Sequence, residues 1–279
     1  MNNIYDWTLS QLQTIMENRG YKKYNGEQIL RWLYQNRVQS FDEMTNLSKS
    51  LKEDLKSNFS MRLPTVIQKQ KSTDGTIKFL LELEDHHRIE TVIMKYTYGN
   101  AVCVSSQVGC NMGCSFCASG LLKKVRDLKS YEMVGQVLIA QQELDQVNER
   151  VSHVVIMGIG EPFDNYENVM NFIYIINEAK GLAIGARHIS VSTSGIIPKI
   201  KALSEEKLQI NLAISLHAPN DTIRNQIMKI NHKYPMKELK EALIEYEQKT
   251  NRRVTFEYLL LDGINDSKEN ALELASYLK

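Results

Sequence analysis

Residues 152–179, "SHVVIMGIGEPFDNYENVMNFIYIINEA", decide the fold class of this 279-residue chain. The run "SHVVIMGIG" is short and apolar, as a buried strand is, while "YENVMNFIYIINEA" has the length and apolar spacing of a helix. Two glycines, a glutamate and a proline between them punctuate a strand-to-helix turn. The pattern repeats outward. Towards the C-terminus come strand "RHISVSTSG", helix "IIPKIKALSEE", strand "QINLAISLHAP", helical segments over 220–228 and 235–248, strand "RRVTFEYLLLDG" and helix "SKENALELASYL". Towards the N-terminus stands the helix "SYEMVGQVLIAQQELDQ". Apolar strands alternating with helices predict an α/β fold, a parallel sheet with helices packed on it, open or closed into a barrel.

Further upstream, "TIKFLLELED", "RIETVIMKY" and "NAVCVSS" read as strands. Residues 1–75 read instead as a small, mildly basic helical domain, leaving 76–279 for the α/β part. "SQLQTIMENRG" and "NGEQILRWLYQNRV" carry apolar residues at helical spacing, and Ser40 with Glu43 forms a capping-box signal opening "SFDEMTNLSKSLKEDLKSNF". With 43% hydrophobic and 24% charged residues the chain can bury one large core and a small accessory domain. No apolar run approaches the roughly 20 residues that span a bilayer, and "MNNIYDWTLSQLQ" lacks the basic and apolar regions of a signal peptide. The expected location is the cytoplasm, with no membrane partner. The net charge of +1 neither marks nor excludes a nucleic-acid partner, because the distribution of charge matters more than its sum.

All four cysteines fall in "VCVSSQVGCNMGCSFCASG", residues 102–120. Reducing conditions argue against a disulfide framework and for metal ligation or thiol chemistry. Cys110, Cys114 and Cys117 follow a C-x3-C-x2-C spacing; three thiolates on one loop suit an iron-sulfur cubane with one iron left open. A structural zinc site would need a fourth ligand from Cys103 or one of six histidines, and such sites usually draw on two separated pairs. Strand ends supply further candidates. Gly160 and Glu161 in "GIGEP", Ser192 in "SVSTSG", and Ser215, Leu216 and His217 in "ISLHAP" each follow apolar strand residues and precede a turn, where α/β folds bind ligands. Taken singly, "GIGEP" also reads as a turn with an exposed glutamate and His217 as a structural histidine. Cys103 on its own reads as a buried thiol, Glu90 as a surface carboxylate on an edge strand, and "LLKKVRDLK" as either a phosphate contact or a solvated face.

"CNMGCSFC", with Phe116 in an aromatic slot, resembles the signature of the radical S-adenosylmethionine enzymes. The wider sequence resembles the RlmN/Cfr group of RNA methyltransferases, through "RIETV", "CVSSQVGC", "MGIGEP", "ISVSTSG", "ISLHAPN" and "LLLDGIND" in order. The resemblance implies a partial (β/α)6 radical SAM barrel in which Cys110, Cys114 and Cys117 hold a 4Fe-4S cluster. It further implies that Gly160, Glu161, Ser192, Ser215, Leu216 and His217 bind S-adenosyl-L-methionine. Cys103 would be a catalytic thiol, transiently disulfide-bonded, resolving an adduct formed through a methyl-cysteine on a second cysteine, and Glu90 a proton acceptor. The implied partners are 23S rRNA, at an adenosine of the peptidyl-transferase centre, tRNA, at the adenosine of position 37, and a flavodoxin- or ferredoxin-type electron donor; the enzyme would be a monomer. "GEP" and "STSG" resemble the RlmN branch, which implies methylation of adenine carbon 2; the Cfr-like alternative is carbon 8. Alternatives of other classes are a glycyl-radical activase and a zinc-stabilised RNA-binding protein without catalysis. "SKENALELASYLK" ends in an amphipathic helix, with no cysteine beyond Cys117. The expectation is a chain truncated before the last strand and the methyl-carrying cysteine, able to cleave S-adenosylmethionine without methylating RNA.

Overall fold

A computed structural model describes all residues, 1–279. The chain opens with β1 (Asn2–Asn3), α1 (Leu9–Asn18), α2 (Tyr24–Arg31), α3 (Lys49–Asn58) and β2 (Phe59–Ser60). Strands β3 (Thr65–Lys71), β4 (Ile77–Glu82), β5 (Arg88–Tyr96) and β6 (Gly99–Cys103) follow, then the short β7 (Gln107–Val108) and β8 (Arg126–Asp127). Alternation begins with α4 (Ser130–Asp145), β9 (Val151–Ile156), α5 (Tyr166–Asn177), β10 (Ile189–Thr193), α6 (Ile197–Ser204) and β11 (Asn211–Ser215). It ends with α7 (Asp221–Ile227), α8 (Met236–Thr250), β12 (Val254–Glu257) and α9 (Lys268–Tyr277). The main sheet has the strand order β12-β11-β10-β9-β6-β5-β4-β3. No helix is long and apolar enough to cross a membrane.

Two compact units divide the chain. The first comprises 1–105, 128–154 and 167–185. Its antiparallel strands β3 to β6 alternate inward and outward; on β5, Ile89, Thr91 and Ile93 are buried while Glu90 and Val92 take the other face. Helix α1 starts on a capping box in which the Thr8 side chain and Gln11 satisfy each other's backbone N–H groups. It packs closely on α2, and glycine allows that approach: a Cβ at Gly26 would stand 2.8 Å from the Gln13 backbone nitrogen. Gly26→Ala is expected to cost about 1–3 kcal/mol of unfolding free energy through overpacking, read from the denaturant midpoint; an unchanged midpoint would mean the helices separate freely.

Two local readings change. Ser40 caps only a single 3-10 turn over Phe41–Glu43, and the Glu43 carboxylate accepts from Gln39 N–H rather than from Ser40; Ser48 caps α3 instead. Strand β3 falls within the stretch expected to be helical, and every one of its residues is exposed, so it carries no burial pattern to read.

The second unit comprises 106–127, 155–166 and 186–279. Strands β10, β11 and β12 are parallel, with Thr193 opposite Ile214 and Ser215 opposite Glu257. The strand expected over "RRVTFEYLLLDG" stops at Glu257, and Leu259 and Leu260 are exposed beyond it. Parallel strands place all their C-terminal ends at one edge, so Ser192, Ser215 and Glu257 come together there.

Candidate functional site

A cavity of about 290 Å³ opens at these strand ends. Its wall contains Cys110, Cys114 and Cys117 together with Gly160, Glu161, Ser192, Ser215 and His217. The three cysteines are carried by a loop with its own backbone bonding. Cys110 N–H donates to Leu122 O at 2.9 Å, Cys117 N–H to Cys114 O at 3.2 Å, and Gly120 N–H to Cys117 O at 2.9 Å. Ser115 N–H reaches the Ile227 carbonyl at the end of α7, 3.0 Å away, while Cys114 and Phe116 pack against Ala218, Ile227 and Met228. The Phe116 ring stands edge-on to His217, centroids 4.8 Å apart.

Burial pushes the Cys114 thiol up to about 12, with Cys110 and Cys117 adding to the effect, and burial likewise raises Cys110. Such thiols become thiolates when a cationic metal centre supplies the charge. Three cysteines on one loop, in the wall of a cavity with room for a ligand beside them, are a donor set that fits an iron-sulfur cube with one iron left open.

Glu161 is buried, contrary to its reading as an exposed turn residue. Its carboxylate accepts from Thr193 Oγ1 at 2.6 Å, Ser194 N–H at 2.8 Å and Phe163 N–H at 3.0 Å. Burial still raises its pKa against those three donors. Gly160 has φ of +110°, and a Cβ there would stand 2.6 Å from Gln107 Cβ, so the turn is reserved for glycine. Gln107 locks the same corner: its Oε1 accepts from Glu161 N–H, and its Nε2 donates to both Asp127 and Asp164.

His217 adopts a left-handed φ of +56°. Its Nδ1 accepts from Leu259 N–H at 3.0 Å, which leaves the ring proton on Nε2, and burial lowers its pKa and keeps the ring neutral. Leu216 is completely buried beside the cavity, and its contribution is backbone: N–H to Glu257 O and a carbonyl accepting from Arg224.

Cys103 and Glu90 belong to the first unit and are not in this cavity's wall. Val92 lies opposite Cys103 in the β5–β6 pairing, so Glu90, two residues along, shares a sheet face with Cys103. The Glu90 carboxylate sits 2.9 Å from Lys78 Nζ and is half exposed. Within the basic run, Lys124 is committed to Asp127 and Asp164, each at 2.8 Å, which removes it from phosphate binding.

Two residues escaped the sequence. Glu257 lines the cavity and its Oε2 accepts from Ser192 Oγ at 2.5 Å and Ser215 Oγ at 3.0 Å; its place at the end of an apolar strand was the available signal. Arg224 binds the carbonyls of Ser194, Ser215 and Leu216, and nothing in the sequence announces it.

Residues 104–275 match the radical SAM superfamily, and residues 2–61 match the ribosomal RNA large subunit methyltransferase N-terminal domain. Fold and site thus define a radical SAM protein, whose cofactors are a 4Fe-4S cluster and S-adenosylmethionine. A crystal structure of a radical SAM methyltransferase from Sphaerobacter thermophilus superposes with a TM-score of 0.95 at 43% identity, covering 100% of this chain and 82% of that one. The "Probable dual-specificity RNA methyltransferase RlmN" of Spiroplasma citri is 53% identical over 279 residues, 100% of this chain and 81% of that protein. Its counterpart in Enterococcus faecalis is 54% identical, over 99% of this chain and 78% of that protein. The chain belongs to the RlmN family.

Proposed function

We propose that the chain methylates carbon 2 of adenosine in 23S rRNA and in tRNA at position 37. The observation that carries this reading is one cavity walled by three cysteines on a single loop and by strand-end polar groups, in a chain 53% identical to a relative described as a dual-specificity RNA methyltransferase. Adenine carbon 2 is electron-poor and resists simple displacement on a methyl sulfonium. The bound cluster and S-adenosylmethionine together supply one-electron chemistry that generates a hydrogen-abstracting radical.

The chain's own residues do the rest by holding and shielding. Cys110, Cys114 and Cys117 would hold the cluster at the cavity wall, and the strand-end groups across the cavity would hold S-adenosylmethionine beside it. Gly160 lets backbone approach it, and Glu161 offers its remaining lone pair to the cofactor ammonium. Ser192, Ser215 and the backbone around Leu216 border the rest of the cofactor, and the neutral His217 presents an Nε2 donor. On β5 and β6 of the first unit, Cys103 would resolve a protein–RNA adduct formed on a second, methyl-carrying cysteine that the 279 residues do not contain, and Glu90 would accept the adenine proton; their shared sheet face supports that pairing. A low-potential flavodoxin or ferredoxin supplies electrons to a monomer acting in the cytoplasm.

Anaerobic incubation of the chain with iron, sulfide, S-adenosylmethionine, a strong reductant and either an rRNA fragment or tRNA tests the reading. The 279 residues hold no cysteine besides Cys103 and the three proposed cluster ligands, so they should form 5'-deoxyadenosine and leave both RNAs unmethylated. By nucleoside mass spectrometry, 2-methyladenosine should appear only when they are joined to a segment carrying a methylatable cysteine. A clear 2-methyladenosine signal from the 279 residues alone would overturn the two-cysteine route. An 8-methyladenosine product would replace the carbon-2 assignment, and a colourless zinc-loaded protein without 5'-deoxyadenosine would remove the radical chemistry.

A further inference from the structure

Arg224 on α7 is fully buried, yet no carboxylate bonds to it. Its guanidinium donates to Ser194 O at 2.7 Å, to the carbonyls of Ser215 and Leu216 at 3.2 Å each, and to Asn231 Oδ1 at 2.8 Å. All four acceptors are neutral. The nearest acid in the network, Asp221, is reached only through Asn231, whose Nδ2 donates to Asp221 Oδ1 at 2.7 Å. Burying a cation without a counter-ion is costly, and its charge acts strongly on any anion bound close by.

Its surroundings identify the anion. Ser194 and Ser215, which it holds by their carbonyls, line the cavity. The helix that carries it ends on Ile227, whose carbonyl anchors the cysteine loop at Ser115, and Cys114 packs against the Ile227–Met228 surface. We propose that Arg224 is a built-in counter-charge for the iron-sulfur cluster, a positioning residue that raises the cluster's reduction potential from behind the cysteine loop. This rests on the assignment of the cluster to Cys110, Cys114 and Cys117. A cluster bound by three thiolates is already rich in negative charge, and reduction adds one electron more. A fixed cation in a low-dielectric wall favours that reduced state, since net charge near a cluster is a main determinant of its potential.

The test uses the 279-residue chain reconstituted anaerobically with iron and sulfide and titrated with dithionite under EPR, before any S-adenosylmethionine is added. Arg224→Gln should make reduction at least tenfold less favourable, a shift of about 59 mV for one electron. Arg224→Lys, which keeps the charge and loses the fork, should hold the wild-type potential while the thermal midpoint falls. Asp221→Asn leaves the guanidinium bonds intact and removes the nearest acid, so it should move the potential the opposite way and decides the matter if the Gln variant assembles no cluster. Potentials unchanged or lowered in Asp221→Asn, or a wild-type potential in Arg224→Gln with only cofactor affinity reduced, would overturn the proposal. Failure of the wild-type chain itself to bind a cluster would instead overturn the site assignment.

Discussion

Replacing Cys114 with alanine is expected to abolish both the cluster and reductive cleavage of S-adenosylmethionine. Cys114 is the middle cysteine of the loop, its thiol pushed up to about 12 by burial and by its two cysteine neighbours. Two remaining thiolates would leave two irons of the cube without protein ligands, and such a cluster does not persist in solvent. The loop itself should survive, because its bonds at Cys110, Ser115, Cys117 and Gly120 are made by backbone atoms that alanine keeps. The measurements are iron and sulfide content, the brown absorbance of the reconstituted protein, and 5'-deoxyadenosine formed with a strong reductant. A wild-type yield from Cys114→Ala would sink the ligand assignment.

Glu161 separates structure from binding. In Glu161→Ala, Thr193 Oγ1–H, Ser194 N–H and Phe163 N–H all lose their acceptor inside a buried corner. A buried unsatisfied donor costs about 1–3 kcal/mol, and the three are coupled, so the expected loss is about 3 kcal/mol of unfolding free energy rather than their full sum. Relief from burying a carboxylate, whose pKa burial raises, offsets part of it. Glu161→Gln keeps the shape and one acceptor oxygen, placing its stability between wild type and Ala. Its affinity for S-adenosylmethionine should still fall about tenfold to a hundredfold, the value of a charge-assisted hydrogen bond. Chemical denaturation gives the first number and anaerobic equilibrium dialysis the second. A Gln variant that binds like wild type would confine Glu161 to its structural bonds.

What could be read in the sequence was whatever depends on near neighbours. The cysteine spacing, the strand and helix periods around 152–179, and the placing of Ser192, Ser215 and His217 at strand ends are all local patterns, and the parallel register then gathers them. Strand β3 stayed hidden because an edge strand exposed on both faces has no alternation to betray it. The start of α3 was misplaced because two serines offer the same capping chemistry eight residues apart, and only packing chooses Ser48. Arg224 and Glu257 look in sequence like ordinary charges. Their roles arise from partners distant along the chain: Ser194, 30 residues from Arg224, and Ser192, 65 residues from Glu257.

The corner built on Gln107 also bears on how this scaffold can be recombined. One amide side chain fills the space that Gly160 leaves, accepts from Glu161 N–H, and donates to Asp127 and Asp164. Asp164 and Asp127 in turn hold Lys124, just beyond the cysteine loop. A swap confined to residues 109–118 keeps every member of this lattice, whereas a single crossover placed between 107 and 127 or between 160 and 164 divides its members between two parents. In directed evolution, accepted changes at Gln107, Asp127, Gly160 and Asp164 should arrive together, and libraries that vary them one at a time should return mostly the parental residue.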